Sequence, residues 1–297
     1  MSGWKSKWQS WQQRWRQDWK ANRRDVRRRS RQPFDPETWG RIRHGLPLLA
    51  DLDDSEAERL GLRAWQLLQT KRWVVGGDIE FDSEALLAIA AQAQLLTLGW
   101  SDRDASAAFD NVTEIILLPD AFHRHVEEMD DFGVMHEYVD ERAGETSWRG
   151  PVVLAIPDVA ESGDYTGYNV IIHEFAHKLD LGNSQDVDGF PPLATNSDVT
   201  SKEWHIVFTA VWDDLQAHLE RGEDTPIDDY AATHPGEFFA VCCEMFFTAP
   251  DQLVDVYPEL LDLLNRYFRQ EPLVRFERYQ PAGMDTILGT PSPHNSP

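Results

Sequence analysis

His173, Glu174 and His177 form the pattern His-Glu-x-x-His inside Asn169-Val-Ile-Ile-His-Glu-Phe-Ala-His-Lys-Leu-Asp180. On an α-helix, positions four apart share a face, so both imidazoles can aim a ring nitrogen at one cation, roughly 2.0–2.1 Å away for zinc. Glu174 is turned about 100° from His173, beside the cation and not necessarily bound to it. From there it can take a proton from a metal-bound water and later deliver it to a leaving amine. Zinc lowers the pKa of such a water from about 15.7 toward 7. Two histidines on a surface helix would give the same spacing. Against that, Val170, Ile171 and Ile172 make the run before His173 apolar, as a buried helix requires.

A catalytic zinc takes three protein ligands and keeps one position open. A third histidine six residues on would need Gly at 180 and His at 183, where this chain has Asp180 and Asn183. The third ligand must therefore come from another segment, and Glu203, His205, Asp213, His218, His234, Glu237 and Glu244 are candidates. Glu237 is the choice. Pro235 suits the first turn of a helix, and Glu237 is a lone acid leading into the apolar run Phe-Phe-Ala-Val-Cys-Cys. A carboxylate facing a core needs a compensating partner, and a metal is the strongest available. Glu244, two turns further along the same face, could hydrogen-bond a ligating histidine, as could Asp180; ordinary buried or capping carboxylates are the alternative for both.

These residues need elements to carry them. The pattern predicts helices over about 55–71, capped by Asp53 or Asp54, and 83–98, capped by Asp82, with Leu60, Leu67 and Leu68 on the apolar side of the first. Strands are expected at 114–118, 134–139 and 152–156, the first and third closed by proline. The His-Glu-x-x-His helix is placed at 166–181, followed by a loop over 183–193 rich in Asp, Gly and Pro. Helices over 201–219, 235–248 and 258–270 complete an α+β pattern, mostly helical with a small sheet. The expected organisation is a basic arm, 1–33, one catalytic domain, 34–280, and a Gly/Pro/Ser-rich tail, 281–297.

The net charge of -23 hides an asymmetry. Residues 1–31 hold eleven Lys and Arg against Asp18 and Asp25, leaving 17 basic and 49 acidic residues elsewhere. An acidic body argues against sequence-specific nucleic-acid binding. In the arm, Trp4, Trp8, Trp11, Trp15 and Trp19 fall within an arc of about 80° on a helical projection, among Lys, Arg and Gln. Such an arm suits an anionic membrane surface, with an acidic protein surface or single-stranded nucleic acid as the other readings. Adjacent Cys242 and Cys243 rarely pair, and no apolar segment follows the basic N-terminus, so a reducing, cytoplasmic setting is expected, membrane-peripheral if the arm binds lipid.

Two segments, Gly167-Tyr-Asn-Val-Ile-Ile-His-Glu-Phe-Ala-His-Lys-Leu-Asp180 and Asp229-Tyr-Ala-Ala-Thr-His-Pro-Gly-Glu-Phe-Phe-Ala-Val241, make the chain resemble the Mlc titration factor A family of metallopeptidases. Weaker echoes are Ser147-Trp-Arg-Gly-Pro-Val-Val-Leu154 and Gln270-Glu-Pro-Leu273, and the likeness spans about 46–278. The resemblance implies a zincin-like, gluzincin-type site, related in design to the catalytic domain of anthrax lethal factor. In it His173, His177 and Glu237 hold one Zn2+, Glu174 is the general base and Tyr230 donates to the oxyanion. It also implies aminopeptidase-like activity on a peptide or protein substrate and a link to Mlc, a glucose-responsive transcriptional repressor. A packing tyrosine is the alternative for Tyr230. A non-catalytic protein that sequesters a transcription factor is the alternative for the whole, although a closed structural site would have no use for Glu174.

Overall fold

The computed structural model describes residues 33–76, 81–119, 124–129, 135–140, 150–225 and 227–279. The arm, apart from Pro33, and the tail over 281–297 lie outside the described residues. In order the elements are α1 (Pro36–Gly45), α2 (Pro47–Ala50), α3 (Asp54–Thr70), β1 (Arg72–Val75), α4 (Ser83–Leu95), α5 (Asp102–Ala107), β2 (Val112–Leu118), β3 (Arg124–Met129) and β4 (Met135–Asp140). They continue with β5 (Gly150–Ala155), α6 (Ile156–Ala160), α7 (Val170–Asp180), α8 (Ser201–Arg221), a 3-10 turn (Asp229–Thr233), α9 (Pro235–Thr248), α10 (Pro250–Val256), α11 (Pro258–Phe268) and α12 (Pro272–Arg278). The protein is mostly helical α+β, as expected.

Capping chemistry sets many of the boundaries. Asp53 starts α3 with a reciprocal capping box to Glu56, and Asp82 caps α4 through Ala85 N–H. Pro36 occupies the first turn of α1, where its missing N–H costs nothing, and Asp35 caps it. The helix placed at 166–181 begins only at Val170. Gly167 has positive φ, which breaks the helix there, and Asn169 caps it by accepting from Ile172 N–H.

β2 lies between β1 and β5 in a parallel sheet, with Trp73 opposite Ile115 and Ile115 opposite Val152. β1 went unforeseen because four residues directly after a long helix give too little alternation to detect. β3 and β4 form a separate antiparallel pair; β4 answers the strand expected at 134–139 and β3 is additional. One sheet face (Trp73, Val75, Ile115, Leu117, Val152, Leu154) joins the main core, whereas Val74, Ile116 and Leu118 line the other. α7 packs against β5, α4 and α9, so the His-Glu-x-x-His helix runs through the middle of the core. Among the described residues no helix is long and apolar enough to cross a membrane.

Candidate metal centre

Two helices build the centre. On α7, Ile171, Ile172, Phe175 and Ala176 are fully buried, which pins the helix face carrying His173 and His177. On α9, His234 caps the first turn by accepting Gly236 N–H on Nδ1, and Pro235 stands at its start, so Glu237 falls in the first turn. The rest of α9 is buried and, apart from Glu244 and Thr248, largely apolar, and it packs on α7.

The sequence-selected ligands meet. His173 Nε2 lies 3.1 Å from His177 Nε2, and Glu237 Oε2 lies 3.1 Å from the first and 3.2 Å from the second. Four ligands at zinc distances in tetrahedral array would be about 3.3 Å apart, so this triangle fits a divalent cation with little rearrangement. Among the described residues no other trio of His, Cys, Asp or Glu gathers in this way. The remaining third-ligand candidates are elsewhere: Glu203 pairs with Arg266, His205 faces the Phe190 ring, His218 pairs with Asp214, and Asp213 is exposed.

Glu244 holds the far side of the His173 ring. Its Oε1 is 2.7 Å from His173 Nδ1, and its Oε2 accepts Asn169 N–H at 2.7 Å. A proton on Nδ1 donated to Glu244 leaves the Nε2 lone pair facing His177 and Glu237, the tautomer a metal ligand needs. Asn169 also donates from Nδ2 to the buried Gln92 at 2.7 Å, tying the start of α7 to α4. Asp180 plays no such part. Its carboxylate accepts Gly189 N–H at 2.8 Å, and His177 Nδ1 has no partner among the described residues.

Electrostatics follow from this packing. Burial pulls the His173 pKa down, but the hydrogen bonds and charges of Glu237 and Glu244 outweigh it and hold the imidazole well above its usual value. Burial leaves His177 below its usual value. Burial would raise Glu237 too, yet the two histidines hold it below the usual carboxylate range. Glu174 is buried, and its carboxyl is pushed up to about 8 by burial, against His173 and Lys178 and with Glu237 and Glu244. Lys178, also buried, is brought down to about 8 by burial and donates to the Gly150 carbonyl at the start of β5. Tyr230 sits on the 3-10 turn, held by Asp228, with its ring centroid 6.4 Å from that of His173.

Asn169, Gln92 and Lys178 were not anticipated. An Asn directly before an apolar run was the available signal for the first; nothing local marks the others.

A His-Glu-x-x-His helix, crossed by a second helix that brings a glutamate to the same point within a mostly helical α+β core, defines a zincin-like metallopeptidase fold. The profile of the glucose-regulated metallopeptidase M90 family matches residues 16–269, and the chain belongs to that family. It is 36% identical over 239 residues to Mlc titration factor A of Serratia proteamaculans, covering 79% of this chain and 88% of that protein. The Edwardsiella ictaluri protein of the same name is 36% identical over 236 residues, 77% and 86% of the two chains, and that of Yersinia pestis 33% over 255 residues, 84% and 90%.

Proposed function

We propose that the protein is a peptidase that uses one zinc ion held by His173, His177 and Glu237, with aminopeptidase-like action on small peptides. The observation that carries this reading is the 3.1–3.2 Å triangle formed by two Nε2 atoms and one carboxylate oxygen. Zinc, when bound, supplies a Lewis acid that acidifies water and polarises the scissile carbonyl. Glu174, buried one position after His173 and outside the triangle, accepts the proton of the attacking water on its carboxylate and returns it to the leaving amine. Tyr230 donates its phenol to the developing oxyanion. Glu244 keeps His173 in the ligating tautomer.

The catalytic unit spans 34–280 and works in the cytoplasm, with the Trp-striped arm over 4–31 contacting an anionic membrane or an acidic protein surface. The name of the relatives supports a second role. Those proteins are titration factors of Mlc, and carried to this chain the name gives a transcriptional repressor as partner. Metal content and hydrolysis of a short peptide panel test the first role in wild type, Glu237→Ala and Glu174→Gln. Wild type should carry one zinc and cleave, Glu237→Ala should lose both, and Glu174→Gln should keep the zinc and lose cleavage. Repressor binding that survives in Glu174→Gln makes the two roles separable. Undiminished hydrolysis by Glu174→Gln would remove it from the chemistry.

A further inference from the structure

Asp180 ends α7, is fully buried, and does not reach a histidine. It is bonded instead to the strap that follows. Its Oδ2 accepts Gly189 N–H at 2.8 Å, and the neighbouring Asp188 adds its charge to the surroundings of the same carboxyl. Gly189 is held on its other side too, because its carbonyl accepts the Trp204 Nε1–H of α8 at 2.8 Å. With φ at +76°, Gly189 adopts a backbone that only glycine takes readily, and that brings its α-carbon against the start of α9. A Cβ there would lie 2.8 Å from the Pro235 carbonyl oxygen. Two residues earlier, Val187 packs so closely on Gly236 that a Cβ on Gly236 would lie 2.7 Å from the Val187 Cβ.

The strap thus touches Pro235 and Gly236, the two residues immediately before Glu237. One end of the linkage is the helix that carries both histidines, and the other is the first turn of the helix that carries the carboxylate. First turns of helices fray most readily, since their N–H groups lack intrahelical acceptors. Glu237 stands in such a turn, preceded by a proline and a glycine.

We propose that Asp180 is a positioning residue for the metal centre, which clamps the strap at Gly189 against Pro235 and Gly236 and so fixes Glu237 relative to His173 and His177. This rests on the His173–His177–Glu237 reading above. The role is indirect: Asp180 binds neither metal nor substrate, and it sets the distance between donors on two separate elements.

The test is zinc affinity by competition with a chromophoric chelator, together with the visible spectrum of the cobalt-substituted full-length protein. Far-UV circular dichroism serves as the check on folding. Asp180→Ala should weaken zinc roughly 10- to 100-fold and alter the cobalt spectrum at unchanged helicity. Asp180→Asn keeps an acceptor for Gly189 N–H and should restore affinity to within about threefold of wild type, which a role confined to fold stability does not require. Gly189→Ala, which forces the strap off Pro235, should reproduce the loss even if Asp180→Ala does not fold. Wild-type affinity and spectrum in either folded Asp180→Ala or Gly189→Ala overturns the proposal. Glu237→Ala separates the two levels: if it too binds zinc as wild type does, the ligand set is wrong; if it alone fails, only the clamp is.

Discussion

Replacing Glu244 by glutamine tests how the His173 ring is oriented. The wild-type carboxylate accepts two hydrogen bonds, from Asn169 N–H and from His173 Nδ1, both at 2.7 Å, in a residue only 5% exposed. Glutamine has one acceptor and one donor to offer to the same pair. The backbone N–H cannot change sign, so the amide oxygen must stay with Asn169 and the NH2 must face His173 Nδ1. That forces Nδ1 to accept and moves the ring proton to Nε2, the atom 3.1 Å from both Glu237 and His177. Folding stability should fall by about 1–2 kcal/mol, because both bonds survive but lose the charge of the carboxylate acceptor. Alanine should cost about 4 kcal/mol, because two buried donors lose their acceptor at about 1–3 kcal/mol each. Zinc affinity in Glu244→Gln should drop roughly 10- to 100-fold, about 1.4–2.7 kcal/mol. Urea unfolding of the metal-free proteins gives the first quantity and chelator competition the second; 15N shifts of the imidazole report the tautomer. Affinity within twofold of wild type, or Nδ1 still protonated in the variant, would refute the argument.

Other outcomes follow from the same geometry. Tyr230→Phe should lower kcat about 100-fold with zinc content unchanged, measured by steady-state hydrolysis and metal analysis; an unaltered kcat would leave Tyr230 a packing residue. The Asp180 carboxyl, raised by burial to about 7, holds a proton in the folded state over a range where the unfolded chain, at about 3.8, has released it. Its contribution is therefore fully present below about pH 4 and lost as pH rises through 7, at most about 4 kcal/mol. Urea midpoints between pH 5 and 8 should decline less steeply in Asp180→Asn than in wild type, and parallel profiles would contradict the assignment.

The meeting of His173, His177 and Glu237 was legible because its signals are local: a four-residue spacing on an apolar helix, then a lone acid behind a proline. Glu237 and Glu244, seven residues apart, share a helix face, so their joint grip on one imidazole was also within reach of periodicity. Where Asp180 points was not, because its partner lies nine residues on in a strap whose path depends on a positive-φ glycine and on α8 and α9. The start of α7 was misplaced by four residues because Gly167 takes a positive φ that spacing alone does not announce. Short helices opened by Pro36, Pro250 and Pro272 were passed over because a proline reads as an end as readily as a beginning.

The turn after α4 has a consequence for synthesis. Trp100 Nε1–H donates to the Tyr267 carbonyl, Gln270 Nε2–H donates to the Leu95 carbonyl, and Gly99 lies so close to the Phe268 carbonyl that even a methyl group would collide with it. Residues 95–100 are thus sealed by a segment made some 170 residues later. A nascent chain that has just delivered Glu244 to the ribosome exit already contains every proposed ligand, yet α4, which anchors Asn169 through Gln92, still has an open end. Metal capture during translation should accordingly wait for the emergence of α11, and ribosome-bound chains stalled before residue 270 should exchange zinc faster than released protein.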